Sequence, residues 1–207
     1  MRPERIPLFP LNVVLLPGAD LPLHIFEPRY RKMVRDCLDN KTEFGMLLAL
    51  TDGVAGTGCT AEILEVVKTH DDGRMDILTV GREPFRVVEL FTEDPLLEGT
   101  VDYLDDRYAP DSPETTKSLV EIYEACHTLI FGDYPHDVVA EGEQIQLSYT
   151  IASKLPMDLL WKQRILELRT EAERQERLLA YLRDWAPHLQ KVETQHRRAA
   201  GYGSGLN

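Results

Sequence analysis

Leu21-Pro22-Leu23-His24-Ile25-Phe26-Glu27-Pro28-Arg29-Tyr30-Arg31 joins two kinds of local structure within one short stretch. Leu21 to Phe26 is a short apolar run punctuated by proline, the signature of a strand. Pro28 suits the first position of a helix, where its missing N–H leaves no bond unmade. Tyr30, Met33, Val34, Cys37 and Leu38 then follow the i, i+3, i+4, i+7, i+8 spacing of one buried helical face. Arg29, Arg31, Lys32 and Arg35 fall largely on the other side. The stretch is therefore a strand-to-helix junction, and its helix is expected to cover an open end of a β-structure.

On both sides of this junction the chain reads as β-rich. Ile6 to Leu11, Val13 to Leu16, Phe44 to Leu50, Ala61 to Val67, Met75 to Val80 and Phe85 to Phe91 are short apolar runs separated by Pro and Gly. Asp71-Asp72-Gly73 is a turn between two of them, because Asp and Gly tolerate positive φ. Strands at this spacing predict a barrel or sandwich rather than βαβ units. The character changes after Tyr108-Ala109-Pro110. Ser112 is placed as an N-cap and Pro113 as the first helical residue. Leu119, Ile122, Tyr123, Cys126 and Ile130 form a helical stripe that Gly132 to Pro135 ends. Ile145, Leu147, Tyr149 and Ile151 alternate like a strand, but their helical flanks favour a helix, broken at Leu155-Pro156. A long helix is predicted from about Pro156 to Trp185, with room for a bend. Leu178, Leu182, Trp185, Leu189 and Val192 form a short a/d-like seam, and Pro187 should end or kink the helix. The fold class is thus α+β. A β-rich subdomain is expected over 1–110, a helical one over 111–200 and a flexible tail over 201–207.

Few motifs point to chemistry. Gly53-Val54-Ala55-Gly56-Thr57-Gly58-Cys59-Thr60 imitates a phosphate-binding loop, but Cys59 stands where the lysine must be. Ala61 to Val67 reads as strand, so no helix N-terminus would face a phosphate. A flexible strand-to-strand loop is expected instead. Among the six histidines no H-E-x-x-H and no strong ligand spacing occurs. His70 beside Asp71 and Asp72 is read as a solvated turn rather than a cation site. Cys126 and His127 are helix neighbours that point apart, as are Ser153 and Lys154, so neither makes a nucleophilic pair. No catalytic, cofactor-binding or metal-binding set is expected. The junction itself is the richest segment: His24, Phe26, Glu27, Arg29 and Tyr30 are candidates for either peptide binding or structure. In the structural reading Glu27 pairs with an arginine or caps backbone N–H groups. In the functional one Phe26, Arg29 and Tyr30 rim a peptide groove.

Charge narrows the partners. The net charge is −12 over 207 residues, whereas a nucleic-acid binder needs basic surface to replace counterions. From Glu89 to Glu124 eleven acidic residues face only Arg107 and Lys117. No apolar run approaches the roughly 20 residues that span a bilayer. The basic and apolar N-terminus is broken by Pro7, Pro10 and Pro17 and lacks a cleavage site, so it reads as folded structure rather than a secretory signal. Three widely spaced cysteines, Cys37, Cys59 and Cys126, argue against a disulfide framework and fit a reducing cytoplasm.

With those residues in view, a family resemblance stands out. Ile6-Pro7-Leu8-Phe9-Pro10-Leu11, Leu15-Leu16-Pro17-Gly18 and Leu21 to Tyr30 closely resemble the opening of the Lon protease N-terminal domain. Gly56-Thr57-Gly58-Cys59-Thr60-Ala61-Glu62-Ile63 is similar to that family's glycine-led strand. Gly81-Arg82-Glu83-Pro84-Phe85-Arg86-Val87 resembles its G-x-x-R-F strand, with Pro84 and Phe85 displaced by one. Leu155-Pro156 and Lys162 to Glu167 resemble its helical bundle. The resemblance covers roughly Arg5 to Leu182. It implies a PUA-like β pseudobarrel followed by a helical subdomain, and recognition of unfolded or extended polypeptides in cytoplasmic quality control. A protease or chaperone partner and a homo-oligomer are compatible with it. In Lon proteases this region precedes an ATPase and a Ser–Lys protease domain. This chain ends where those would begin, so binding is expected to carry over, and ATP hydrolysis and proteolysis are not. PUA-like barrels also bind RNA, which keeps an RNA-binding protein as the alternative that the charge disfavours.

Overall fold

The computed structural model describes residues 2–93, 95–110, 112–135 and 146–202, with side chains described as far as residue 195. Its elements are β1 (Arg5–Leu11), β2 (Asp20–Ile25), α1 (Pro28–Asn40), β3 (Phe44–Leu50), β4 (Gly53–Thr69), β5 (Met75–Phe91), β6 (Glu98–Tyr103), α2 (Pro113–Phe131), α3 (Leu147–Lys154), α4 (Leu159–Glu167) and α5 (Glu171–Tyr202). They form two compact units. One comprises Met1–Asp106 with Pro156–Arg169, the other Arg107–Leu155 with Thr170–Asn207. No described helix is long and apolar enough to cross a membrane.

The first unit is a barrel. The strands run in the order β2-β5-β4-β3-β1-β6, and β6 also pairs with β5. That extra pairing closes five strands into a ring and leaves β2 as an added edge. β4 and β5 make this possible because each is 17 residues long. The first half of β5, Met75 to Val80, pairs with β2, and the second half, Phe85 to Phe91, pairs with β6. β1 solves a proline problem in the same way. Proline cannot donate to a ladder, so it is rare inside sheets. Arg5 to Pro7 pair with β6, and Leu8 to Leu11 pair in parallel with β3. Each half therefore needs only one ladder, and Pro7 and Pro10 are tolerated. Ile6, Leu8, Leu47, Phe85 and Val101 form the cluster inside the ring.

Glycines let the barrel walls approach. The run Gly53 to Thr60 is not the expected loop but the first half of β4. A Cβ on Gly58 would collide with the Met46 carbonyl oxygen and lie 2.7 Å from the Phe85 ring. The composition that imitates a loop is thus a packing requirement of a strand. Val13 to Leu16, expected as a strand, has no ladder, although Val14, Leu15 and Leu16 are buried. β6 was masked in the sequence by the acidic character of its surroundings.

The expected helix from Pro156 to Trp185 is two helices. Leu168 is extended, and the Arg169 guanidinium fills the break by donating to the carbonyls of Leu104 (2.7 Å) and Leu166. Thr170 restarts the chain, its Oγ1 accepting from the Glu173 N–H at 3.2 Å, which is an N-cap contact. Residues 156–169 group with the barrel unit. Gln163 on α4 is buried and donates to the Thr57 carbonyl at 2.9 Å, fixing the helix on β4.

In the second unit Ser112 caps α2, accepting from Thr115 N–H, and Gly132 ends it at φ 83°. Leu119, Tyr123 and Cys126 of α2 and Leu178 and Leu182 of α5 are buried where these helices pack. The far end of the predicted seam is different, since Val192 is 52% exposed. α5 runs through Pro187 to Tyr202, so the proline neither ends the helix nor leaves Gly201 and Tyr202 in a tail. Residues 203–207, Ile145 and His136 lie outside the described residues. α3 is held on α5 by a buried polar knot. Ser148 donates to Glu171 from its N–H (2.9 Å) and its hydroxyl (2.6 Å), and Arg174 donates to the same carboxylate at 3.0 Å. These bonds commit the Ser148 hydroxyl to the packing of α3 on α5.

Candidate functional site

The β2–α1 junction separates its candidate residues by burial. Within β2, Leu23 and Ile25 point into the barrel, and Pro22 and His24 point out. The chain then turns at Phe26, which is 60% exposed, before Pro28 starts α1. Tyr30 is on the buried face of α1, with its ring stacked on Phe9 at 4.0 Å between centroids. It is a core residue, and burial pushes its phenol pKa up. Glu27 sits at the N-cap but makes no side-chain cap bond. Its carboxylate instead accepts from Arg29 at 2.9 Å. Arg29 also donates to the Pro95 carbonyl at 3.0 Å and lies 4.6 Å above the Tyr30 ring. Glu27 and Arg29 therefore form an outward pair that ties the helix start to the β5–β6 connection. Of the five candidates, His24, Phe26 and Arg29 are exposed, Glu27 is half-buried and Tyr30 is buried, and the His24 and Phe26 rings lie 6.1 Å apart.

Two residues that sequence reading did not select join His24. β2 and β5 pair with His24 opposite Asp76. His24 Nδ1 lies 2.5 Å from Asp76 Oδ1, and His70 Nε2 lies 2.8 Å from Asp76 Oδ2. The two imidazoles meet edge to face at 5.7 Å. The bonds to His24 and then His70 hold the Asp76 carboxyl below the usual carboxylate range. The sequence paired His70 with the adjacent Asp71 and Asp72. The turn uses Asp72 otherwise, with its carboxylate bound to Arg74 at 2.7 Å and its carbonyl to Arg31 at 2.6 Å. The one available signal was His70-x₅-Asp76 flanking a Gly turn, since a hairpin brings residues on its two arms together.

All three cysteines are free and buried. Burial pushes each thiol up, Cys126 to about 11, which disfavours the thiolate form at neutral pH. Two clefts of about 280 and 360 Å³ are both lined by Lys41, Thr42 and Glu43, which connect α1 to β3. One is bordered by Cys37, Glu62 and Ile63, the other by Arg2, Glu83 and Tyr103. Burial, then Glu43 and Glu83, push up the Tyr103 phenol in the second cleft.

This fold, with its proline-spanned first strand and glycine-packed fourth, matches a family model described as the ATP-dependent protease La (LON) substrate-binding domain, over residues 5–184. The chain belongs to that family. Solved LON-type domains share its architecture. A Lon N-terminal domain protein from Xanthomonas campestris superposes with a TM-score of 0.69 at 28% identity, covering 86% of this chain and 98% of that one. The N-terminal domain of Mycobacterium avium complex Lon protease shares the fold at TM-score 0.60 and 17% identity, covering 89% of this chain and 98% of that one. Among curated proteins, Lon protease of Parabacteroides distasonis is 25% identical over 86% of this chain and 24% of its own length. Protein cereblon of Xenopus tropicalis is 34% identical over 56% of this chain and 27% of its own length. The chain thus spans about a quarter of the length of these relatives, and what it matches in Lon is the substrate-binding domain.

Proposed function

We propose that this LON-family chain is a polypeptide-binding module without catalytic groups of its own, acting as an adaptor or chaperone-like component of cytoplasmic protein quality control. The observation that carries the reading is the match of residues 5–184 to a substrate-binding domain. Its clients are unfolded or extended polypeptides, and a separate protease or chaperone is the partner to which they pass. The barrel supplies a physical route. β2 is an edge strand, and an extended peptide can add to a sheet edge through backbone pairing. Pro22 on β2 removes one donor from that edge, which limits self-pairing. Phe26 offers an apolar anchor next to it, with His24, Glu27 and Arg29 as its polar border and Tyr30 as the buried support. Such contacts demand little of client sequence and give modest affinity per site, which self-association would raise by avidity. Polypeptide is preferred to RNA because a net charge of −12 opposes phosphate.

The test is fluorescence anisotropy of labelled, carboxymethylated α-lactalbumin titrated with the full chain, beside the native form of the same protein. The unfolded form is expected to bind and the native form not. Phe26→Ala combined with Arg29→Ala is expected to weaken capture about tenfold with little change in urea midpoint, in the manner of an anchor residue. Equal binding of both forms, or none, would count against the reading. So would nucleotide turnover or peptide hydrolysis abolished by one substitution in this chain.

A further inference from the structure

We infer that His24, His70 and Asp76 form a binding site for a divalent transition-metal ion of the zinc class, on the outer face of the barrel where β2, β4 and β5 meet. The inference stands on these side chains alone and does not depend on polypeptide binding. One donor atom from each residue can be chosen so that all three lie within 4.8 Å of one another. Zinc bonds to imidazole nitrogen and carboxylate oxygen are about 2.0–2.2 Å long. Donors sharing one ion at that bond length sit roughly 3.3–3.6 Å apart, so the set tightens from its 4.8 Å spread while the His–Asp contacts of 2.5 and 2.8 Å open to admit the ion. The donor set also fits. Two neutral imidazoles and one carboxylate suit zinc, copper, nickel and iron, whereas calcium and magnesium prefer all-oxygen shells.

The backbone holds the three donors in place before any ion arrives. Ladder register sets His24 opposite Asp76. His70 closes the hairpin, donating its N–H to the Arg74 carbonyl and accepting from the Gly73 N–H, both at 2.8 Å. The two oxygens of Asp76 already face one imidazole nitrogen each, at 2.5 and 2.8 Å. An ion replaces the shared hydrogens. Each neutral imidazole then carries its proton on the far nitrogen, Nε2 of His24 and Nδ1 of His70, with no net proton change. An imidazolium would release one proton to solvent as its nitrogen takes the metal. Arg74 and Arg31 beside the turn are engaged by the Asp72 carboxylate and carbonyl, while Lys68 lies opposite Asp76 in the β4–β5 register and Arg35 approaches Gly73. His24 and Asp76 side chains are 46% and 36% exposed. Three protein donors with an open side leave a position for water or an incoming ligand, as in zinc sites that are not purely structural.

The experiment titrates the untagged, chelator-treated full chain with Co²⁺ and then displaces it with Zn²⁺. One equivalent of Co²⁺ is expected to bind with the intense visible bands of a four- or five-coordinate ion, and Zn²⁺ should bleach them. His24→Ala and His70→Ala should each weaken binding by on the order of 100-fold or more, since each removes a ligand itself rather than a group behind one. His188→Ala should leave it unchanged. No saturable binding, or binding that survives His24→Ala with His70→Ala, overturns the site and leaves a hydrogen-bonded bridge across the hairpin. If circular dichroism shows that the variants are unfolded, imidazole NMR signals of the unmodified protein decide. Zn²⁺ must perturb those of His24 and His70 while sparing those of His127 and His188, and the reverse pattern refutes the assignment.

Discussion

Tyr30 shows how one residue can be legible in type and ambiguous in role. Its place in the α1 stripe marks it as apolar-facing, while its neighbours Arg29 and Arg31 suggest a surface. The structure buries it to 5% exposure against Phe9. Tyr30→Asp removes that ring and puts a carboxylate in an apolar site, so a loss of about 3–5 kcal/mol is expected. A shift of the urea midpoint measures it, and unchanged stability with lost client capture would return Tyr30 to the binding surface. Gly58 carries the converse lesson. Sequence reading assigned it to a flexible loop because glycine is common there. In the barrel its missing Cβ makes room for the Met46 carbonyl and the Phe85 ring. Gly58→Ala is expected to cost about 3 kcal/mol by overpacking, whereas Gly56→Ala, with open space at that Cβ, should cost less than 1 kcal/mol. Equal midpoints for the two variants would refute this account.

Among the elements, α1 and α2 were readable because each carries its own signals, Pro28 or Ser112-Pro113 at the start, an apolar stripe and a stop, whereas α3 was placed by its helical flanks and the break at Leu155-Pro156. The tail end of the chain was less readable. The residues from 156 to 185 carry helix-favouring side chains throughout, and nothing in their period reveals the break that Arg169 stabilises. The Thr170-Glu171-Ala172-Glu173 sequence is a capping signal that a longer helix assignment overrode. α4 buries Ile165 and Leu166, and the buried Gln163 amide ties it to β4. Gln163→Ala would leave the Thr57 carbonyl without that donor, at an expected cost of about 1–3 kcal/mol. Hydrogen exchange should then rise in α4 and mid-β4 while α2 stays protected. Uniform loosening of the chain, or none, would contradict the assignment of α4 to the first unit.

At the scale of the whole molecule, charge and topology have separate consequences. The acidic excess predicts that the chain fails to shift single-stranded or hairpin RNA in a mobility assay even at low salt, where electrostatic binding is strongest. Salt-sensitive retention of RNA would revive the alternative reading of the barrel. Composition, the strand-to-helix junction, the β-rich first half and the LON-type opening were all available from the order of residues, because each is a pattern among near neighbours. The closed ring, the partner switch in β1 and the meeting of His24 with Asp76 were decided only in three dimensions. His24 and Asp76 are 52 residues apart, and whether they touch depends on ladder register. Local periodicity says which face of a strand is buried, but register is set by how whole strands pack together.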